Sequence, residues 1–322
     1  MHVLREKIGK DTFKQAVKNY LEKHEYQNVD TDDFLNETKA VSNFNTNDFK
    51  KKWLESYQFP TEEANTLLKK NKFIDSLFVT QSLRKVAFKD KVSTFKEILK
   101  SNSYYPIKTE ILYQLKDVDF KDKRELLEIA MKTNSIEVRK AIAQQFIEIP
   151  TDFKLMYESL LNDDSYETQE IALNNLWENF ELDRERYLLW SKNWVGGNDK
   201  NLRILHLKLS LLTNHHTLND SEKYYKYQRD FKELLEYSSA KYESSIRTNA
   251  FAALNSIGCT DEVYFKNLVN ASTHYSWQFA KFAKEQLRYL LKSAANRKQF
   301  ETLLSQCNDK EQRQLQRLLE EK

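Results

Sequence analysis

Apolar residues recur at three- and four-residue intervals through most of the chain, the period of a helix that buries one stripe and solvates the rest. Six segments open on a polar cap or turn and then hold this period: Ser103 to Leu115, Ser135 to Phe146, Ser165 to Trp177, Asp199 to Leu212, Tyr242 to Ile257 and His274 to Leu291. Their starts fall about 30 to 43 residues apart, the range of helical solenoid repeats. Partner helices are predicted between them at Asp122 to Met131, Asp152 to Leu161, Glu185 to Trp190, Ser221 to Tyr237 and Asp261 to Val269.

Within the repeating segments, small and branched apolar residues follow a charged one, as in Val138-Arg139-Lys140-Ala141-Ile142-Ala143 and in Ile246-Arg247-Thr248-Asn249-Ala250-Phe251. The alanines permit close helix approach. The pattern resembles degenerate HEAT-type repeats, which implies an all-α fold: an α-α superhelix of irregular HEAT/ARM-like helix pairs with a concave face for contacts. An irregular helical bundle is the alternative arrangement of the same helices.

The first 60 residues follow a different rhythm, with helices predicted at Leu4 to His24, Thr31 to Val41 and Thr46 to Tyr57. Thr31 is suited to cap the second of these, with Asp32 and Asp33 favourable in its first turn. Phe34, Leu35, Phe49, Trp53 and Leu54 are the expected buried faces. Pro60 discourages helix at the residue before it and suits the first turn of a new helix, so the link Phe59-Pro60-Thr61 ends this unit. The expected organisation is a small helical unit over 1–60 and a helical-repeat domain over 61–322.

Composition supports long helices and excludes several other classes. Four glycines and three prolines are too few for turn-dense β structure or glycine-rich phosphate loops. The net charge of +3 comes from 51 basic and 48 acidic residues interspersed along the chain, so charge as a whole selects neither nucleic acid nor anionic lipid. No apolar run is long enough for a membrane span, and Met1-His2-Val3-Leu4-Arg5-Glu6 lacks the layout of a secretion signal. A soluble chain without a membrane segment is expected; its cellular address is not legible.

The motifs of metal and nucleophilic chemistry are incomplete. A zincin helix needs two histidines four residues apart with a glutamate after the first; His24-Glu25 begins that pattern, but the fifth position is Asn28. His2, His206, His215, His216 and His274 have no ligand spacing, and Cys259 and Cys307 form no short pair. There is no Gly-x-Ser-x-Gly elbow, and Gly196-Gly197 is expected in a linking turn. Tyr224-Tyr225-Lys226-Tyr227 is expected to pack between helices rather than stack bases.

One stretch carries more specific information. Met1-His2-Val3-Leu4-Arg5-Glu6-Lys7-Ile8-Gly9-Lys10-Asp11-Thr12-Phe13, followed by Tyr20-Leu21 and Tyr26-Gln27-Asn28-Val29-Asp30-Thr31-Asp32-Asp33-Phe34, resembles one region of the zinc aminopeptidases of the aminopeptidase N and leukotriene hydrolase type. In that family a helix ending in a leucine-arginine pair, a glycine-acidic-x-phenylalanine turn and a tyrosine-x-asparagine stretch close the thermolysin-like catalytic domain, with a tryptophan-leucine pair near its end. Trp53-Leu54 is similar. The resemblance covers about the first 60 residues; the helical remainder is compatible with the family's C-terminal domain. No strand-rich segment follows Pro60, so the β-sandwich domain of many members is not expected.

The resemblance implies that the zinc-binding helix and catalytic tyrosine of the family lie upstream of Met1. No catalytic or metal-ligating residue is therefore assigned here, and zinc is expected in a parent enzyme rather than in this chain. The resemblance makes the chain the C-terminal part of such an aminopeptidase, meeting peptide substrate through the upstream catalytic domain. Val3, Leu4 and Ile8 are then expected to be exposed, since that domain would normally cover them. The competing reading is a stand-alone helical-repeat scaffold that binds a protein partner on its concave face. Arg139, Arg203 and Arg247, early in successive repeat helices, are the candidates for binding a peptide carboxylate through bidentate hydrogen bonds. The bland alternative is that they pair with acidic neighbours such as Glu137 or cap adjacent helices.

Overall fold

The structure is a computed structural model that describes residues 1–214 and 221–321. Among these residues it contains twenty α-helices and no strand, so the fold class is all-α. The chain divides into two compact units, Met1–Ala130 and Met131–Lys322.

The first unit comprises α1 (His2–Ile8), α2 (Lys10–Lys23), α3 (Thr31–Val41), α4 (Thr46–Trp53), α5 (Thr61–Leu68), α6 (Lys72–Ser82), α7 (Phe88–Lys100), α8 (Tyr105–Gln114) and α9 (Phe120–Met131). The single helix expected from Leu4 to His24 is broken because Gly9 adopts φ +89, a left-handed conformation that glycine reaches without steric cost. Asp30, rather than Thr31, caps α3. Its carboxylate accepts from the backbone of Asp32 and Asp33, and Asp33 returns a bond to the Asp30 N–H, which completes a reciprocal capping box. Helix α4 stops at Trp53, four residues earlier than expected.

Leu4, Leu35 and Phe49 form a small core lined by Val3, Ile8, Phe13, Phe34 and Trp53. The expected exposure of Val3, Leu4 and Ile8 is therefore corrected: Leu4 is 1% exposed, and the other two are half-buried against the same core. Helix α5 packs on α1, and its Glu63 receives both Lys7 of α1 and Lys52 of α4. Leu4→Ala should thus cost about 2 kcal/mol of unfolding free energy, the low end of the range for buried leucines because the cluster is small. Denaturant melts of the two proteins check this; a change below about 0.5 kcal/mol would mean that Leu4 is solvated.

The second unit comprises α10 (Ile136–Ala143), α11 (Lys154–Glu158), α12 (Tyr166–Asn179), α13 (Arg184–Ser191), α14 (Asn201–Asn214), α15 (Ser221–Tyr237), α16 (Ser244–Ser256), α17 (Glu262–Ala271), α18 (Trp277–Leu290), α19 (Ala294–Leu303) and α20 (Asp309–Glu320). Its packing has a simple rule. Each even-numbered helix packs on the next, α10 on α12, α12 on α14, α14 on α16, α16 on α18 and α18 on α20. Odd-numbered helices fill a second row against them, as in α13 on α14, α15 on α14 and α16, and α17 on α18. Such a double row is what stacked helix pairs produce, since each pair buries its apolar stripe only against its neighbours. Ala250, Phe251, Phe265, Ala283, Leu287 and Phe300 lie in one continuous core through α16 to α19.

Candidate functional site

The three arginines nominated by sequence all fall in the even-numbered row of the second unit. Arg139 is the fourth residue of α10, Arg203 the third of α14 and Arg247 the fourth of α16. Each guanidinium reaches back to a carbonyl in the turn before its own helix: Arg139 to Thr133 at 2.9 Å, Arg203 to Lys192 at 2.9 Å and Arg247 to Ser238 at 3.0 Å. Each also reaches forward. Arg139 pairs with Asp163, Arg203 forms two parallel bonds to Glu233 on α15, and Arg247 donates to the Asn267 carbonyl and the Asn270 side chain on α17, both at 3.1 Å.

The backward bond belongs to a longer series. On α12 the fourth residue is Gln169, whose amide donates to the Asp163 carbonyl at 2.8 Å. In the first unit the fourth residues of α7 and α9 are Lys91 and Lys123, which donate to the carbonyls of Leu83 and Leu115. A long donor at this position satisfies carbonyls that the preceding turn would otherwise bury without partners. The arginines therefore do structural work at these positions. For Arg139 or Arg203 to hold a peptide carboxylate, that carboxylate would have to take the place of Asp163 or Glu233.

Arg247 differs from the other two. It is 2% exposed, it lies against the rings of Phe251 and Phe279, and no carboxylate pairs with it among the described residues. Burial pushes its pKa down to about 10. Glu137, the acidic neighbour suggested by sequence for Arg139, instead accepts from Ser135.

A groove of about 790 Å³ opens beside α13, α14 and α15, and His206 lines it. This histidine is 3% exposed, with Nδ1 2.9 Å from the Ser191 hydroxyl. Ser191 gives its only proton to the Tyr187 carbonyl at 2.9 Å, so its oxygen accepts and His206 Nδ1 carries the hydrogen. This is the reverse of a nucleophile poised toward a base. Asp230, fully buried, accepts from Ser210 and Arg229 rather than from His206. Burial, with Arg203 nearby, lowers the His206 pKa to about 4, and the ring is neutral at physiological pH.

Among the described residues, no three His, Cys, Asp or Glu side chains converge on a point that would hold a metal ion. His24 meets one carboxylate, Glu37 at 3.8 Å, and His274 Nδ1 accepts from the Ser276 backbone. His215 and His216 lie outside the described residues. Cys259 is buried, with its thiol pKa raised by that burial to about 11, which suits a packing residue rather than a thiolate. Gly196 has φ +89, and a side chain there would collide with Asn201, as expected for a linking turn.

Sequence reading passed over one set of residues. Lys281, Lys284 and Arg288 on α18, and Lys310, Arg313 and Arg317 on α20, line a common groove. Their spacing of three and then four residues on each helix was the available signal; whole-chain charge balance concealed it.

Comparison with known proteins bears on the N-terminal segment. Residues 1–53 match the family model described as the Peptidase family M1 domain. No curated protein matches the chain.

Proposed function

We propose that this chain is the non-catalytic C-terminal part of a zinc-dependent aminopeptidase. In this reading residues 1–60 form the helical end of the metallopeptidase catalytic domain, and the helical-repeat domain over 61–322 caps the active-site cleft and limits access of peptide substrates to it. The observation that carries the reading is the match of residues 1–53 to the Peptidase family M1 domain. The all-α structure supports it. Zinc belongs to the parent enzyme, held by residues other than those of this chain. Arg139, Arg203 and Arg247 remain proposed contacts for a peptide carboxylate within the parent, reached only by exchange of the partners they now hold.

A second reading, a stand-alone helical-repeat scaffold for a protein partner, is favoured by a specific observation. Leu4, Leu35 and Phe49 already bury one another, with α5 closing against α1, so the N-terminal helices do not need an outside domain to cover them.

The purified chain should hold no stoichiometric zinc and should not hydrolyse aminoacyl-anilide substrates, because among the described residues no histidines and carboxylates converge as a zinc site requires. Metal analysis that found about one tightly bound zinc per chain, together with turnover abolished by a chelator, would contradict this.

A further inference from the structure

Helices α18 and α20 pack side by side and leave between them a groove of about 610 Å³, within the size range of small-molecule sites. Lys281, Lys284 and Arg288 line one side, and Lys310, Arg313 and Arg317 the other. At a rise of about 1.5 Å per residue, each rail of three cations is about 10 Å long. Among the described residues no Asp or Glu lines the groove itself, and Glu321 stands at its edge against Arg288.

Elsewhere basic and acidic residues are nearly balanced, so this concentration is a local departure. Of the six cations, Arg288 is held closely, by Glu321 at 2.6 Å, and Lys281 stands 4.0 Å from Glu285. Lys310 donates to the Thr273 carbonyl. Among the described residues, Lys284, Lys310, Arg313 and Arg317 form no ion pair of their own, and the Glu321 carboxylate that holds Arg288 is the acidic group near Lys284 and Arg317. His274, at the same groove, has its pKa lowered by burial and by the nearby charges of Arg247 and Lys310, which is consistent with a positive local field.

The mouth of the groove is aromatic. Trp277 is 68% exposed and Tyr275 93% exposed, and His274 lies 4.1 Å from the Tyr275 ring. Exposed aromatic faces beside a cluster of cations suit a ligand that joins a flat ring to a dense run of negative charge.

Charge density separates two kinds of ligand. An extended acidic peptide advances about 3.3 Å per residue, so a groove of this length faces about three carboxylates and leaves the rings unused. A phosphate monoester alone carries about −1.5 to −2, and linked phosphates place several such charges within the same span. Arginine forks also match phosphate oxygens in pairs.

We propose that the α18–α20 groove binds a nucleoside polyphosphate, with its phosphates between the two rails of cations and its base stacked on Trp277 or Tyr275. The site is independent of the aminopeptidase reading.

Calorimetric titration of the whole chain with ATP, tripolyphosphate and hexaglutamate, in low salt without divalent cations, tests the proposal. ATP should bind saturably with Kd of about 10⁻⁴ M or tighter, and hexaglutamate at least about tenfold more weakly. Arg313→Glu and Arg317→Glu should each weaken ATP by about tenfold or more. Both side chains are exposed, and circular dichroism checks that each variant folds; Lys284→Gln is the milder alternative should either fail. Trp277→Ala should weaken ATP several-fold and leave tripolyphosphate unchanged. Lack of saturable ATP binding at millimolar concentration would overturn the proposal, as would hexaglutamate binding as tightly as ATP. Equal binding of ATP and tripolyphosphate, unaffected by Trp277→Ala, would remove the base from it.

Discussion

Arg247→Ala should lower the unfolding free energy of the protein by about 3 kcal/mol or more, the combined cost of a cavity against two buried rings and of buried acceptors left without their donor. The substitution removes donors from the carbonyls of Ser238 and Asn267 and from Asn270, and it empties the space against Phe251 and Phe279. Arg247→Met should cost much less, about 1 to 2 kcal/mol. It keeps the stem packed between the rings and removes the burial cost of the charge while still orphaning the carbonyls. Urea melts of the three proteins give both numbers. A residue held ready for a ligand would lose about 0.5 kcal/mol or less on truncation, and that outcome would mean Arg247 does not hold the Ser238 and Asn267 carbonyls in place.

Stability should also fall on acidification between pH 6.5 and about 4 because of His206. Its folded pKa is about 4, against 6.5 for the unfolded ring, so in this window the unfolded state binds the additional proton. The contribution is fully present above pH 6.5 and is lost as pH falls. At about 1.4 kcal/mol per unit it amounts to about 3 kcal/mol at pH 4. His274, also lowered, adds in the same direction, whereas Glu158 and Glu233, lowered by Arg186 and Arg203 against the opposing effect of burial, act below their usual 4.5. His206→Asn keeps a donor toward Ser191 and cannot titrate, so its stability should be flatter between pH 6.5 and 5. An unchanged pH profile in that variant would show that His206 is hydrated.

Helix positions were legible where a side-chain cap met a clear apolar period. Ser135 and Ser165 cap α10 and α12, and Thr31 to Val41 and Ser221 to Tyr237 are helices with the expected bounds. Pro60 marks the start of α5 without a side-chain cap, whereas Ala87 ahead of α7 offers neither a cap nor a proline signal. Helix α20 was missed although Asn308 and Glu311 carry a complete capping box. Gly9 shows how one residue divides an otherwise continuous helical pattern.

The candidate site was legible in position and not in partners. The recurrence of arginine early in repeat helices follows from local sequence, and the structure keeps it. Asp163 and Glu233, however, lie 24 and 30 residues beyond their arginines, a separation set by how one helix pair stacks on the next. A local reading pointed to Glu137 because it is close in sequence. The α18 and α20 cations posed the converse problem: each triplet is visible alone, yet the groove exists only once the two helices pack together.

The proposal that the chain is the non-catalytic C-terminal part of a zinc aminopeptidase is tested by sequencing the gene and its transcript 5′ of the Met1 codon. The expected result is an in-frame coding sequence there that carries a His-Glu-x-x-His helix and a catalytic tyrosine shortly before Met1. A transcript that begins just ahead of Met1, with an in-frame stop and no zinc motif in the preceding DNA, would contradict it and leave the scaffold reading.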